Sequence, residues 1–225
     1  RHPPSVCRPR GEWPVTSLEL FLVLSGFLIG SAIDAAADRL TRGERWAMPR
    51  SRCTACQRPL KWHELIPLIS WGLARGRCRS CHAPIGYRAP LTEIAGALVA
   101  MAAVALRPED PIILCFTVIF GWLLLALAAI DLRLYILPDG LNLAVLLLGG
   151  AVVALRFPHL WPWHLAGAVA GYGLLWLVET GYRRLRGRDG LGRGDAKLLG
   201  AIGIWVGIEG IPPVLLIASL CGILA

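Results

Sequence analysis

Blocks of almost unbroken apolar residues run through this chain, and they leave few folds open to it. A helix that crosses a bilayer needs about 20 mainly apolar residues. Stretches 15–33, 111–130 and 160–178 reach or nearly reach that length, while 91–106 and 141–155 fall a few residues short and draw on their flanks. After Leu198 two readings stay open. Segments 198–208 and 211–225 are either two short spans or one helix bent at Pro212 and Pro213. Composition agrees: 56% of the 225 residues are hydrophobic and 17% are charged, against about 45–50% and about 25% in soluble domains. The expectation is an all-α polytopic integral membrane protein of about six to eight transmembrane helices, which excludes an ordinary soluble enzyme and a disordered chain. The 15–33 run is longer than a signal-peptide core, and no A-x-A cleavage pattern follows it. A chain that opens on Arg1 and ends inside an apolar run is expected to be part of a longer protein.

Charge sets the orientation. Eighteen of the 23 Lys and Arg residues fall in 38–90, 131–140 and 179–197, whereas the alternate loops hold only Arg107 and Arg156, with Arg1, Arg8 and Arg10 in the leading tail. Positive charge collects on cytoplasmic loops, so those three segments are read as cytoplasmic. The alternation explains the net charge of +8 without nucleic-acid binding. GxxxG steps at Gly26/Gly30, Gly167/Gly171 and Gly203/Gly207 predict closely packed helix pairs.

Within the largest basic segment, Cys53-x-x-Cys56 and Cys78-x-x-Cys81 form two matched knuckles, with Ser-Arg-Cys and Gly-Arg-Cys before them and Arg-Pro and Ala-Pro after. Two CxxC knuckles supply the four thiolates of a tetrahedral Zn²⁺ site, and a closed site of that kind is structural. Two disulfides are the other reading, and a redox CxxC is a third. A reducing cytoplasm disfavours the disulfides, and duplication disfavours the redox role. His63 and His82 are read as surface residues, and Cys7, Cys115 and Cys221 as isolated.

Two carboxylates stand at the cytoplasmic ends of spans. Asp131 closes an apolar run and continues into a stretch holding Pro138 and Asp139; Asp195 closes Gly192-Arg193-Gly194-Asp195 ahead of Lys197. Ionisable groups at such depth point to function. Two neighbouring carboxyls share one proton, so that one activates a water while the other protonates a carbonyl, which is aspartic-protease chemistry. Glycines at 192 and 194 are expected to allow a sharp turn and close approach of a substrate strand. The structural alternatives are helix-capping roles for Asp139, Asp189 and Asp195, and an ion pair of Asp131 with Arg133 or Arg193.

Taken together, the segments at 26–40, 66–81, 87–93, 129–141 and 192–207 resemble, in order, the motifs of the prepilin peptidases (type IV leader peptidases), which are GxGD aspartyl membrane proteases. The resemblance implies that Asp131 and Asp195 are the catalytic aspartates, and that Cys53, Cys56, Cys78 and Cys81 bind zinc in a cytoplasmic loop. It also implies cleavage of type IV prepilins or type II secretion pseudopilins at the cytoplasmic face of a bacterial inner membrane. Methylation of the new N-terminus by S-adenosylmethionine would follow, with Glu93 serving either methylation or loop packing. Two positions depart from the family pattern: Asp34 stands where it has Asn, and Leu65 stands at an Asn position before Ile66-Pro67. Both fall near the parts associated with methyl transfer, so a peptidase without methyltransferase activity is the narrower alternative. A non-catalytic membrane scaffold with a zinc loop is the alternative of a different class. The expected divisions are 1–37 (tail and first helix), 38–90 (zinc loop) and 91–225 (peptidase domain).

Overall fold

The computed structural model describes residues 16–44, 51–106, 110–188 and 192–224. The leading tail with Cys7, together with Arg45, Arg50, Arg107 and Asp189, lies outside the described residues. Helix α1 (Ser17–Thr41) opens on a capping box: Thr16 Oγ1 accepts from the Glu19 N–H, and the Glu19 carboxylate accepts from the Thr16 N–H. It runs about two turns beyond the apolar stretch ending at Ile33, because its polar residues find partners. Arg42 meets Asp38 at 2.7 Å, and Asp34 meets Arg133.

A short helix α2 (Ile69–Leu73) follows, then α3 (Arg88–Ala105), α4 (Pro111–Leu134), α5 (Asp139–Arg156), α6 (Trp161–Arg186), α7 (Arg193–Val206) and α8 (Ile211–Leu224). No strand occurs among the described residues; the connection between α1 and α3 carries two isolated antiparallel bridges. Helices α1, α3, α4 and α5 are long and apolar enough to cross a membrane, and the protein is a multi-pass, all-α membrane protein. Helix α6 has 26 residues but is not one of the four, because its Trp, His, Gly and Tyr residues lower its hydropathy. The segment after Leu198 is two helices. Gly207, at φ +69°, ends α7, and Pro212 and Pro213 fall in the first turn of α8, where a missing N–H breaks no helical bond.

The bundle is small inside and large outside. On α1 the buried positions include Gly26, Gly30 and Ala37, while Phe21, Leu24 and Leu28 are at least half exposed, as lipid-facing residues are. A Cβ on Gly26 would lie 2.5 Å from the Gly96 carbonyl oxygen on α3, and one on Gly167 would lie 2.5 Å from that of Gly203. Pairs α1–α3 and α6–α7 therefore touch backbone to backbone, as small residues permit. Larger side chains fill the space between them: Leu127 of α4 and Val145 of α5 are buried with Ala201 of α7, and Phe120 stacks on Trp205 at 4.3 Å. Indole N–H groups tie the helices, Trp205 donating to the Val145 carbonyl and Trp122 to that of Gly96, each at 2.9 Å.

Candidate functional site

Asp131 lies in the last turn of α4, which stops where Tyr135 takes a left-handed conformation and its N–H donates to the Asp131 carbonyl at 2.8 Å. Pro138 then caps α5, which starts at Asp139. Asp195 lies in the first turn of α7. The connections place all three helix ends at one end of the bundle. Asp131 is near enough to act electrostatically on Asp195; Asp131 is half-buried and Asp195 exposed.

The cations near the pair are taken elsewhere. Arg133 binds the Asp34 carboxylate and donates to its backbone carbonyl at 3.0 Å. Arg193 lies 3.6 Å from Glu179, and Lys197 lies 2.6 Å from Asp139. Asp131 thus has neither of the ion pairs considered for it. Glu179 was not anticipated: it is 3% exposed in the lower half of α6, with Arg183 also at 3.9 Å. No sequence pattern marked it, since a Glu among arginines reads as an ordinary helix end.

Of the two uses expected of the glycines before Asp195, the turn does not call on a positive φ. Gly192 has φ −69°, and neither residue is among the positive-φ glycines, so no special backbone conformation is used. What they provide is clearance. A Cβ at 192 would stand 3.2 Å from Asp195 Oδ2, and one at 194 would press on Leu137 at 3.0 Å.

The four-cysteine loop has an internal repeat of backbone geometry. The Cys53 N–H donates to Arg58 and the Gln57 N–H to Cys53; equivalently, the Cys78 N–H donates to Ala83 and the His82 N–H to Cys78. Gln57 and His82 both adopt φ near +57°, so His82 is the turn residue that matches Gln57. The four Sγ atoms lie within 4.8 Å of one another, with Cys53–Cys81 at 3.8 Å and Cys56–Cys78 at 4.0 Å. A tetrahedral site with metal–sulfur bonds of about 2.3 Å has sulfur–sulfur edges of about 3.8 Å, whereas a disulfide needs about 2.0 Å. The cluster can hold a metal ion, and all four residues are free thiols. The Cys81 and Ser80 backbone N–H groups lower the Cys78 thiol to about 6, whereas, against the Ala83 N–H, desolvation and the neighbouring sulfurs push Cys81 up to about 11. A bidentate Arg58–Glu64 pair at 2.8 and 3.1 Å braces the loop, and it holds the Glu64 carboxyl down at about 2.

Glu93 is 6% exposed and accepts from the Leu68 N–H at 2.8 Å, fixing the loop where Leu68 is held at φ +57°. Leu65 closes the turn Trp62–Leu65 and is exposed. Between this loop, α1 and α3 lies a cavity of about 680 Å³ whose walls include Ser31, Asp34, Trp71, Tyr87, Glu93 and Arg133.

Residues 24–107 match the family model for the bacterial peptidase A24 N-terminal domain, and residues 118–225 match that of the type IV leader peptidase family. A prepilin leader peptidase/N-methyltransferase of Klebsiella pneumoniae is 39% identical over 207 residues, covering 88% of this chain and 90% of that protein. The protein of that name in Burkholderia pseudomallei (strain 1026b) is 40% identical over 194 residues, covering 83% of this chain and 60% of its own length. One from Aeromonas hydrophila is 43% identical over 178 residues, 78% of this chain and 60% of that protein. The chain thus spans most of the first relative and about three-fifths of the other two. No solved structure matches it.

Proposed function

Because the chain belongs to the type IV leader peptidase family, we propose that it is a membrane aspartyl endopeptidase. Its substrates would be type IV prepilins or type II secretion pseudopilins, cut at the cytoplasmic face of a bacterial inner membrane. The observation that supports this reading is that α4 and α7 end near one another, with Asp131 near enough to act electrostatically on Asp195 and the nearby cations bound to other carboxylates. One carboxylate takes a proton from water as the water oxygen attacks the scissile carbonyl carbon, and the protonated partner donates to the carbonyl oxygen. Collapse of the tetrahedral intermediate breaks the C–N bond: the leaving amine takes the proton from the first carboxyl, and the partner carboxylate recovers its proton from a hydroxyl of the intermediate. The test is leader cleavage of a prepilin by the full chain in liposomes, read by mass spectrometry, with Asp131→Asn and Asp195→Asn beside it.

The GxGD segment is held from α6. Arg193, between the two glycines, reaches back to buried Glu179. Removing Arg193 leaves buried Glu179 only its longer contact to Arg183, whereas removing Glu179 leaves an exposed Arg193 in water. Glu179→Gln and Arg193→Gln should each slow cleavage about three- to tenfold, with the losses in the double variant less than additive in free energy, because both break the Glu179–Arg193 contact. Additive losses in that cycle would count against the clamp.

The metal we propose at the four cysteines is structural Zn²⁺, which fits four thiolates with no open position. Purified chain should carry about one zinc per molecule, and Cys78→Ser should lose it and, by loosening the loop backbone, speed tryptic cleavage after Arg75 and Arg77, whose side chains are already exposed. Full activity and full stability in a zinc-free preparation would overturn the assignment.

S-adenosylmethionine would supply a methyl group for the new N-terminus. The 680 Å³ cavity is within the usual range for ligands of that size. In its wall, Trp71 and Tyr87 suit an adenine ring. A mature N-terminus heavier by one methyl group in the same spectra would establish the second activity; an unmodified one would leave a peptidase alone.

A further inference from the structure

Asn142 sits in the first turn of α5 and is 4% exposed, yet neither its Oδ1 nor its Nδ2 has a hydrogen-bonding partner. A buried amide left unmatched on both atoms destabilises the fold, and an apolar residue of similar size would not. Its place in the bundle suggests a use for it. Leu127, Val145 and Ala201 form one buried layer across α4, α5 and α7. Asp131 follows Leu127 by four residues and stands one turn along the same face of α4. Asn142 precedes Val145 by three residues and stands one turn along the same face of α5. On α7, Asp195 precedes Ala201 by six residues, about two turns away. The chain runs toward this end in α4 and away from it in α5 and α7, so all three steps lead the same way. By this register the amide stands one turn from the apolar layer, toward the end of the bundle that carries the aspartate pair.

We propose that Asn142 is a positioning residue of the aspartate site: its Nδ2 donates to the Asp131 carboxylate when a peptide is bound and holds it in the orientation that shares a proton with Asp195. The proposal rests on the aspartyl reading above. Among the described residues Asp131 has no ion-pair partner, since Arg133 is turned to Asp34 and Arg193 to Glu179. It needs a donor that fixes its plane without adding charge, and a neutral amide supplies one. Glu93, also buried, is already engaged by the Leu68 N–H and is not available for such a role.

Thr and Val are nearly isosteric and differ in a hydroxyl, so Asn142→Thr and Asn142→Val separate donor chemistry from packing. The measurement is kcat and KM for prepilin cleavage by the full chain in liposomes, with thermal unfolding of each variant. N142V should lower kcat by about tenfold or more with KM little changed, while its melting temperature holds or rises. N142T should recover most of kcat. Stability and activity moving in opposite directions is a result that packing alone does not give. Equal kcat for N142V, N142T and the unchanged chain would overturn the proposal, as would a loss in both variants that follows their melting temperatures. Should N142V fail to fold, Ser and Ala at 142 make the same comparison: recovery with Ser alone supports the role, and equal kcat in both overturns it. Asp131→Asn in the same assay keeps the two readings apart. If that variant still cleaves, the aspartyl mechanism has failed; if it is inactive while N142V is unimpaired, only the role of Asn142 has.

Discussion

Asp131→Asn and Asp195→Asn should each reduce prepilin cleavage by at least about 10³-fold, in a protein that still folds and inserts. Asn keeps the size of Asp but can neither hold the shared proton nor accept one from water. The expectation of intact folding comes from the ion pairs around the site. Arg133 is held by Asp34, Arg193 by Glu179 and Lys197 by Asp139, so neither aspartate is the sole partner of a nearby cation. If these residues were structural ion-pair partners, the substitutions would lower stability first and activity only in consequence. Cleavage and thermal unfolding measured on the same preparations separate the two. Cleavage that survives either substitution would sink the mechanism and favour the scaffold.

The largest effect on stability should come from a single methyl group. Gly26→Ala places a Cβ 2.5 Å from the Gly96 carbonyl oxygen, and Gly203→Ala drives one into the carbonyl oxygen of Gly167. Backbone atoms cannot rotate away as a side-chain tip can, so the helices must separate. Each change should cost about 2–3 kcal/mol, at the upper end of overpacking effects. Gly203→Ala should also cut activity beyond its stability loss, because it displaces the helix that carries Asp195. Gly173 and Gly222 supply the control, since a Cβ at either meets nothing within 4 Å. Alanine there should be neutral or stabilising by up to about 1 kcal/mol. Unfolding in detergent that fails to separate the two groups would show that the backbone contacts do not govern stability.

Features that depend on near neighbours in the chain could be read before folding. Apolar runs gave the helices, the duplicated Ser-Arg-Cys and Gly-Arg-Cys pattern gave the paired knuckles, and glycines four apart marked where backbones touch. Gly207 shows the limit of that last pattern, because it also terminates α7 at φ +69°. Hydropathy ended the first helix at Ile33, whereas backbone hydrogen bonding carries it to Thr41 with its polar residues paired. Features that depend on a distant partner were not legible. Asp34 looked like a departure from a family pattern, and its meaning rests on Arg133, 99 residues away. Glu179 and Asn142 needed the packing of α6 and α5 against α7 before their burial could be known. The glycines at 192 and 194 are legible as a place for a turn and for close approach; that Asp195 and Leu137 themselves take up the room appears only in the folded chain.

The two glycine-lined pairs differ in how far apart their halves lie along the chain. Helices α6 and α7 follow one another closely, so their hairpin can close as soon as both are inserted. Helices α1 and α3 are separated by the whole four-cysteine loop, and bringing the ends of a flexible segment together costs entropy that grows with its length. A loop drawn in by the two knuckles, by Arg58 on Glu64 and by Glu93 on Leu68 behaves as a far shorter tether. The ordering of a polar loop thus bears on when two helices can zip, and with the proposed zinc at its knuckles it would tie metal supply during synthesis to membrane assembly.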